Sequence, residues 1–187
     1  LTVFPIMVIQ RALILALGDN SWLVAFGYSA GIEEFIKWIL FMFVVADHDH
    51  FDEPYDGIVY AVSISLGFAT AENVMYALLS YQSFEALFVR ALLPVSAHAL
   101  FGVIMGYHAG RARFAGHKRH KAWGMSLMLP FLYHGVYDFL LLSTQAWLTG
   151  LVIPLMAFMW FRSMVKVRRA NERSPFRTVM SDDKIKM

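Results

Sequence analysis

Residues 31–45 read GIEEFIKWILFMFVV. Every position after Lys37 in this stretch suits hydrocarbon, yet the run begins with two adjacent carboxylates, Glu33 and Glu34, and a lysine one turn further on. A charged side chain at the bilayer centre costs about 2.5–3.5 kcal/mol on insertion scales, so three of them within five residues require a purpose. The run belongs to a longer apolar segment, 21–45, and similar segments recur near 3–17, 57–80, 87–109, 122–142 and 147–164. Each is close to the roughly 20 residues that cross about 30 Å of hydrocarbon. With 58% hydrophobic and only 16% charged residues, the composition excludes an ordinary soluble domain. The expected fold is an all-α, polytopic membrane bundle of about six helices around a mid-membrane polar cavity. Residues 1–164 form that single domain, and 165–187 a basic, flexible cytoplasmic tail.

The first segment is the weakest of the six, because Arg11 sits inside it. The chain opens on Leu1 rather than methionine, which leaves room for earlier spans. Of the 16 Lys and Arg, five lie in 110–121 (GRARFAGHKRHK) and eight from Arg162 onward, so the basic residues flank the last three spans on one side. That is the positive-inside pattern. It puts the 110–121 loop, the C-terminus and the acidic loop 46–56 in the cytoplasm, and the connections near 19–21 and 80–86 outside. Beside membrane helices such basic runs signal topology and touch anionic lipid, so the lipid bilayer and not nucleic acid is the expected partner. No cysteine is present, which removes disulfides, thiolate metal sites and a cysteine nucleophile. Neither a cleavable signal nor a lipidation motif is legible, and the sequence holds no internal repeat.

The loop at 46–57, ADHDHFDEPYDG, packs five acids between two apolar helices. Pro54 suits the first turn of a helix, and Asp52 or Asp56 can accept backbone N–H bonds there. An oxygen-rich loop also suits calcium or magnesium, which is the alternative reading.

Further ionisable groups lie at membrane depth: Glu72 in GFATAENVMY (67–76), His98 in PVSAHALFGVIMGY (94–107), and His134 with Asp138 in FLYHGVYDFLL (131–141). Their depths agree across four helices, which a stray charge would not produce. Glu33 and Lys37 are four apart and are expected to pair on one helix face, leaving Glu34 about 100° away and free. Glu72 with Tyr76, and His134 with Asp138, share the same spacing, so each pair presents two polar groups to one point. A lone buried histidine is more often a packing residue; two at one depth, with three glutamates and an aspartate at hand, point to a site. Gly102 and Gly106, also four apart, allow a neighbouring helix to approach closely.

A carboxylate beside a histidine in a wet pocket can deprotonate water, and a second histidine can stabilise the resulting oxyanion. That chemistry is peptide or amide hydrolysis with no cofactor. The same groups could instead hold zinc, with Glu34, Glu72, His98 and His134 as ligands, assembled across helices because no HExxH spacing occurs. A proton or cation relay in a small transporter is the reading from another class. It lacks the expected inverted repeats and matching Gly/Pro-broken helices.

EEFIK at 33–37, FDEPYDGIVY at 51–60, GFATAENVMY at 67–76, SAHALFGVIMGY at 96–107 and HGVYD at 134–138 together resemble, in order and spacing, the signatures of the PrsW family of intramembrane glutamic endopeptidases. That family is similar to the CAAX prenyl endopeptidase and bacteriocin-immunity group, whose hallmark is a double glutamate followed by histidines on later helices. The resemblance implies the first cut in a single-span anti-sigma factor of a bacterial inner membrane, which leads to sigma-factor activation. It implies that the Glu33–Glu34 pair supplies the water-activating carboxylate with His98, and that His134, backed by Asp138, stabilises the oxyanion. Glu72 and Asn73 match the EN motif, expected to give hydrogen-bonding support or a further water contact, while Lys37 and Tyr76 are expected to support the site through their i,i+4 pairs. Asp52, Glu53 and Asp56 match a DEPxDG motif, expected to shape the cavity rim.

Overall fold

The computed structural model describes residues 2–79, 83–114 and 119–176. Among them every regular element is helical. The first helix, α1 (Val3–Leu17), ends at Gly18, whose φ of +95° is a conformation that a side chain would strain. Asn20 then accepts the Trp22 N–H on its side-chain oxygen at 3.0 Å and starts the next helical run. That run has two halves, a π-helical segment (Leu23–Gly31) and α2 (Ile32–Val44). Glu33 and Glu34 therefore stand in the first turn after the wider helix type gives way to the tighter one, and π turns inside helices often mark functional sites.

The acidic loop leads into α3 (Pro54–Leu79). Pro54 opens this helix as its fixed φ favours, and Asp56 Oδ2 accepts the N–H groups of Asp52 and Glu53 at 3.2 and 3.1 Å. Antiparallel to α3 runs α4 (Phe84–Phe114). The two approach so closely that a Cβ on Gly106 would lie 2.1 Å from the Gly57 carbonyl oxygen, and one on Gly102 would lie 2.9 Å from Val62 Cα. The glycine spacing read from the sequence thus brings the backbones of α3 and α4 into direct contact. The remaining helices are α5 (Arg119–Leu141), the short α6 (Ala146–Gly150) and α7 (Val152–Asn171).

Ala97, Phe101, Tyr137, Leu140 and Met159 bury one apolar cluster between α4, α5 and α7. Phe41, Phe51, Ala61 and Met105 bury another between α2, α3 and α4. The outer surface is as apolar as these cores: Phe43 is 85% exposed and Phe84 82%, while Glu34 and Lys37 are 0% exposed. Such an inverted distribution belongs to a protein whose solvent is lipid.

Helices occupy all six apolar segments. Three stretches, Pro54–Leu79, Phe84–Phe114 and Ala146–Asn171, are long and apolar enough to cross a membrane. The apolar α1 has 15 residues and is about 22 Å long at 1.5 Å per residue, so a count of six full spans goes beyond what these lengths carry. The last helix continues through Asn171, so 165–171, expected to belong to the tail, are helical. Residues 1, 80–82, 115–118 and 177–187, which include the last part of the expected tail and part of the 110–121 loop, lie outside the described residues.

Candidate active site

A cavity of about 290 Å³ opens between the end of α1, the π segment, the end of α3, the start of α4 and the end of α5. Glu33, Glu72, Tyr76, His98, His134 and Asp138 all face it. Each histidine sits one turn after a proline in its helix interior, Pro94 before His98 and Pro130 before His134. A proline removes the i→i−4 hydrogen bond and bends the helix there. Beside His134, Gly135 admits the Phe26 ring of the π segment, which a Cβ would meet at 2.2 Å.

Lys37 holds the buried side of the site. Its ammonium donates to Glu34 Oε1 at 2.7 Å and to His98 Nδ1 at 2.7 Å, and lies 4.6 Å from the centre of the Phe68 ring. An ammonium can only donate, so His98 Nδ1 accepts and the ring hydrogen of neutral His98 is on Nε2. Glu34 Oε1 also accepts from His134 Nδ1 at 2.8 Å. The Nε2 of that second ring faces Asp138 Oδ2 at 3.3 Å. Asp138 in turn accepts a hydrogen bond from Ser29 Oγ.

Here the pairing expected from the sequence is reversed. Glu34, expected free, is the tight partner of Lys37. Glu33 Oε2 stands 3.7 Å from the same ammonium. Glu33 Oε1 accepts from Gln10 Nε2 at 3.1 Å and lies 3.4 Å from Ser29 Oγ, while its Oε2 is buried with no hydrogen-bond partner. This Oε2 is 4.0 Å from His98 Nε2. Such a gap is too long for a direct bond and suits one bridging water. Glu34 has no part in the cavity wall.

Glu72 connects the opposite wall, with Oε2 3.7 Å from His98 Nε2 and Oε1 3.5 Å from Arg90 Nη2. Tyr76 lies under that guanidinium, 3.6 Å from ring centre to Cζ. Asn73, next to Glu72, is not in the cavity wall, and its Oδ1 is buried without a partner. The expectation that Asp52, Glu53 and Asp56 shape the cavity rim fails. They sit at the start of α3, and Glu72 lies 16 residues along it, about 24 Å away at 1.5 Å per residue. Asp56 closes the turn into α3 by accepting the two backbone N–H groups.

Sequence reasoning missed Gln10, Ser29, Arg90 and Tyr137 in the cavity wall. Arg90 and Gln10 carried a signal, as polar groups inside apolar segments. Ser29 carried none, because its place depends on the π-helical turns.

Among the described residues one group of acids and histidines converges closely enough to suggest a metal: Glu33, His98 and His134, with ligand atoms within 4.8 Å of one another. The carboxylate is Glu33 and not the Glu34 or Glu72 expected for zinc. The donors suit zinc in kind, but tetrahedral zinc with bonds near 2 Å needs ligand atoms roughly 3.3 Å apart. Zinc would also need Lys37 to release His98 and His134 to turn from one of its two carboxylates.

The sequence matches a family model described as the PrsW family of intramembrane metalloproteases over residues 1–164. It is 49% identical over 172 residues to Protease PrsW of Geobacillus kaustophilus, covering 91% of this chain and 75% of that one. To Protease PrsW of Bacillus subtilis it is 48% identical over 170 residues, covering 90% and 77%. To the Clostridioides difficile protein of the same name it is 34% identical over 151 residues, covering 78% and 63%. No solved structure matches the chain. A family match along nearly the whole bundle, together with carboxylates and histidines gathered in a cavity between apolar helices, assigns this chain to the PrsW family of intramembrane proteases.

Proposed function

We propose that this protein is an endopeptidase of a bacterial inner membrane that cuts a single-span protein of the anti-sigma-factor type, using water activated by Glu33. One observation carries the reading: Glu33 Oε2, buried and without a partner, is 4.0 Å from His98 Nε2. A water between them gives one proton to Glu33 and is oriented by the His98 ring N–H as its oxygen attacks the peptide carbonyl. His134, held at Nδ1 by Glu34, turns its Nε2–H from Asp138 to the oxygen that becomes negative. Glu33 then returns the proton to the departing amine, so the bond breaks with protons balanced. Lys37 keeps His98 in the required tautomer, and Gln10 aims the Glu33 carboxylate.

The cavity lies at the ends of α3, α4 and α5 opposite the basic residues Arg111, Arg113, Arg119 and Arg168. With those residues cytoplasmic by the positive-inside rule, the cut falls near the outer face of the membrane.

A second reading is favoured by the convergence of Glu33, His98 and His134. Zinc held by these three would supply a Lewis acid that acidifies the attacking water.

The test is cleavage of single-span substrates by the purified protein in liposomes, with elemental analysis and a strong chelator in parallel. Chelator-resistant cleavage by metal-free protein supports the carboxylate mechanism, and stoichiometric zinc with chelator-sensitive cleavage supports the second reading. No cleavage of any single-span substrate would count against the proposal as a whole.

A further inference from the structure

Arg90 takes no part in the water-activating chemistry, yet it reaches the cavity. Its side chain is 26% exposed and lies in the wall two helical turns before His98. A guanidinium carries five N–H donors. Among the described residues a single acceptor is in reach, Glu72 Oε1 at a long 3.5 Å, and Nε is buried with no partner among them. Unmet donors on a mostly buried arginine cost stability unless another acceptor arrives. The Tyr76 ring, 3.6 Å from Cζ, fixes the guanidinium plane in the meantime.

The chemistry of the missing acceptor follows from the neighbouring charges. Glu33, Glu72 and Asp138 line the same cavity, so an acidic side chain would meet three carboxylates. A peptide carbonyl offers lone pairs and adds no charge. We propose that Arg90, laid on Tyr76, forms a subsite that holds a main-chain carbonyl of the substrate. This rests on the protease reading above. The guanidinium and the His98 ring are joined through Glu72 at 3.5 and 3.7 Å. Extended chain at about 3.3 Å per residue therefore puts the held carbonyl roughly two or three residues from the bond that is cut. Because a carbonyl occurs in every residue, the subsite fixes register and extension of the unwound substrate and is blind to its side chains.

The experiment measures binding of a fluorescent single-span peptide to the full chain in detergent, in a Glu33→Gln background that prevents turnover. Arg90→Gln is expected to weaken binding roughly 10- to 100-fold, the effect of one lost charge-assisted hydrogen bond. Arg90→Lys recovers part of it. Tyr76→Leu weakens binding as well, and Tyr76→Phe, which keeps the ring, recovers most of that loss. In protein that cleaves, Arg90→Gln raises KM by the same factor and leaves kcat within about threefold, a split that a merely structural role would not give. Equal affinity with and without Arg90 would overturn the subsite. So would an Arg90 effect that vanishes when acidic residues near the cut are replaced by their amides. Arg90-dependent binding by a chain that in its unsubstituted form cleaves nothing would sink the protease reading and leave the subsite standing.

Discussion

Lys37 is a cation without access to water, and Glu34, His98 and the face of Phe68 share the task of holding it. Removing one member of a buried ion pair leaves the other charge uncompensated, at about 3–5 kcal/mol. Lys37→Met should therefore lower unfolding stability by about that much, and the double variant Lys37→Met/Glu34→Gln should recover a large part of the loss. Chemical denaturation of the parent, both single variants and the double variant in detergent checks this, and additive losses would mean the pair is not coupled. The sequence showed that a lysine and two glutamates share one turn, but both i,i+3 and i,i+4 pairs are allowed on a helix. The choice was made by groups far along the chain. His134, 100 residues away, draws in Glu34, and Gln10, 23 residues earlier, holds Glu33.

Among elements, the α3–α4 crossing positions the site most directly, since α3 brings Glu72 and α4 brings Arg90 and His98. Gly106→Ala would put a methyl group 2.1 Å from the Gly57 carbonyl oxygen, so the helices must separate. An overpacking loss of about 1–3 kcal/mol is expected, with a fall in cleavage rate as His98 moves from Glu33. Gly67→Ala on α3 meets nothing within 4 Å and is the control, expected to melt within about 0.5 kcal/mol of the parent. Equal melting of both variants would show that the crossing tolerates a wider gap. This element-level feature was legible because glycines four apart have one obvious use in a membrane helix. The π-helical segment was not, since no residue type marks it, and with it went the placement of Ser29. In the DEPxDG loop the local chemistry was legible, since Asp56 accepts backbone N–H groups of its own turn, whereas the distance of that turn from the cavity was not.

For the whole molecule, the apolar surface and the buried charges were both readable from composition and segment length, while the number of full crossings was not. Span length depends on where helices end, and α1 stops at Gly18 after 15 residues. The orientation can be tested cleanly because the chain contains no cysteine. Single cysteines at Asn20 and Arg168 should react oppositely with a membrane-impermeant maleimide on intact cells. Asn20→Cys is expected to label and Arg168→Cys to label only after lysis. The reverse pattern would put the cavity mouth on the cytoplasmic side and move the cut with it. The cavity lies at one end of the bundle, basic residues at the other and apolar flanks between them.

The central claim is the division of labour within Glu33–Glu34, and turnover measured together with melting temperature for Glu33→Gln and Glu34→Gln tests it most directly. Glu33→Gln is predicted to cut turnover by at least about 100-fold, the lower range for loss of a general base, while melting stays at the parent value. Glu34→Gln is predicted to lower the melting temperature, because it leaves Lys37 and His134 without their shared carboxylate. Full turnover by Glu33→Gln, or a Glu34→Gln protein that melts normally yet cleaves nothing, would contradict the account.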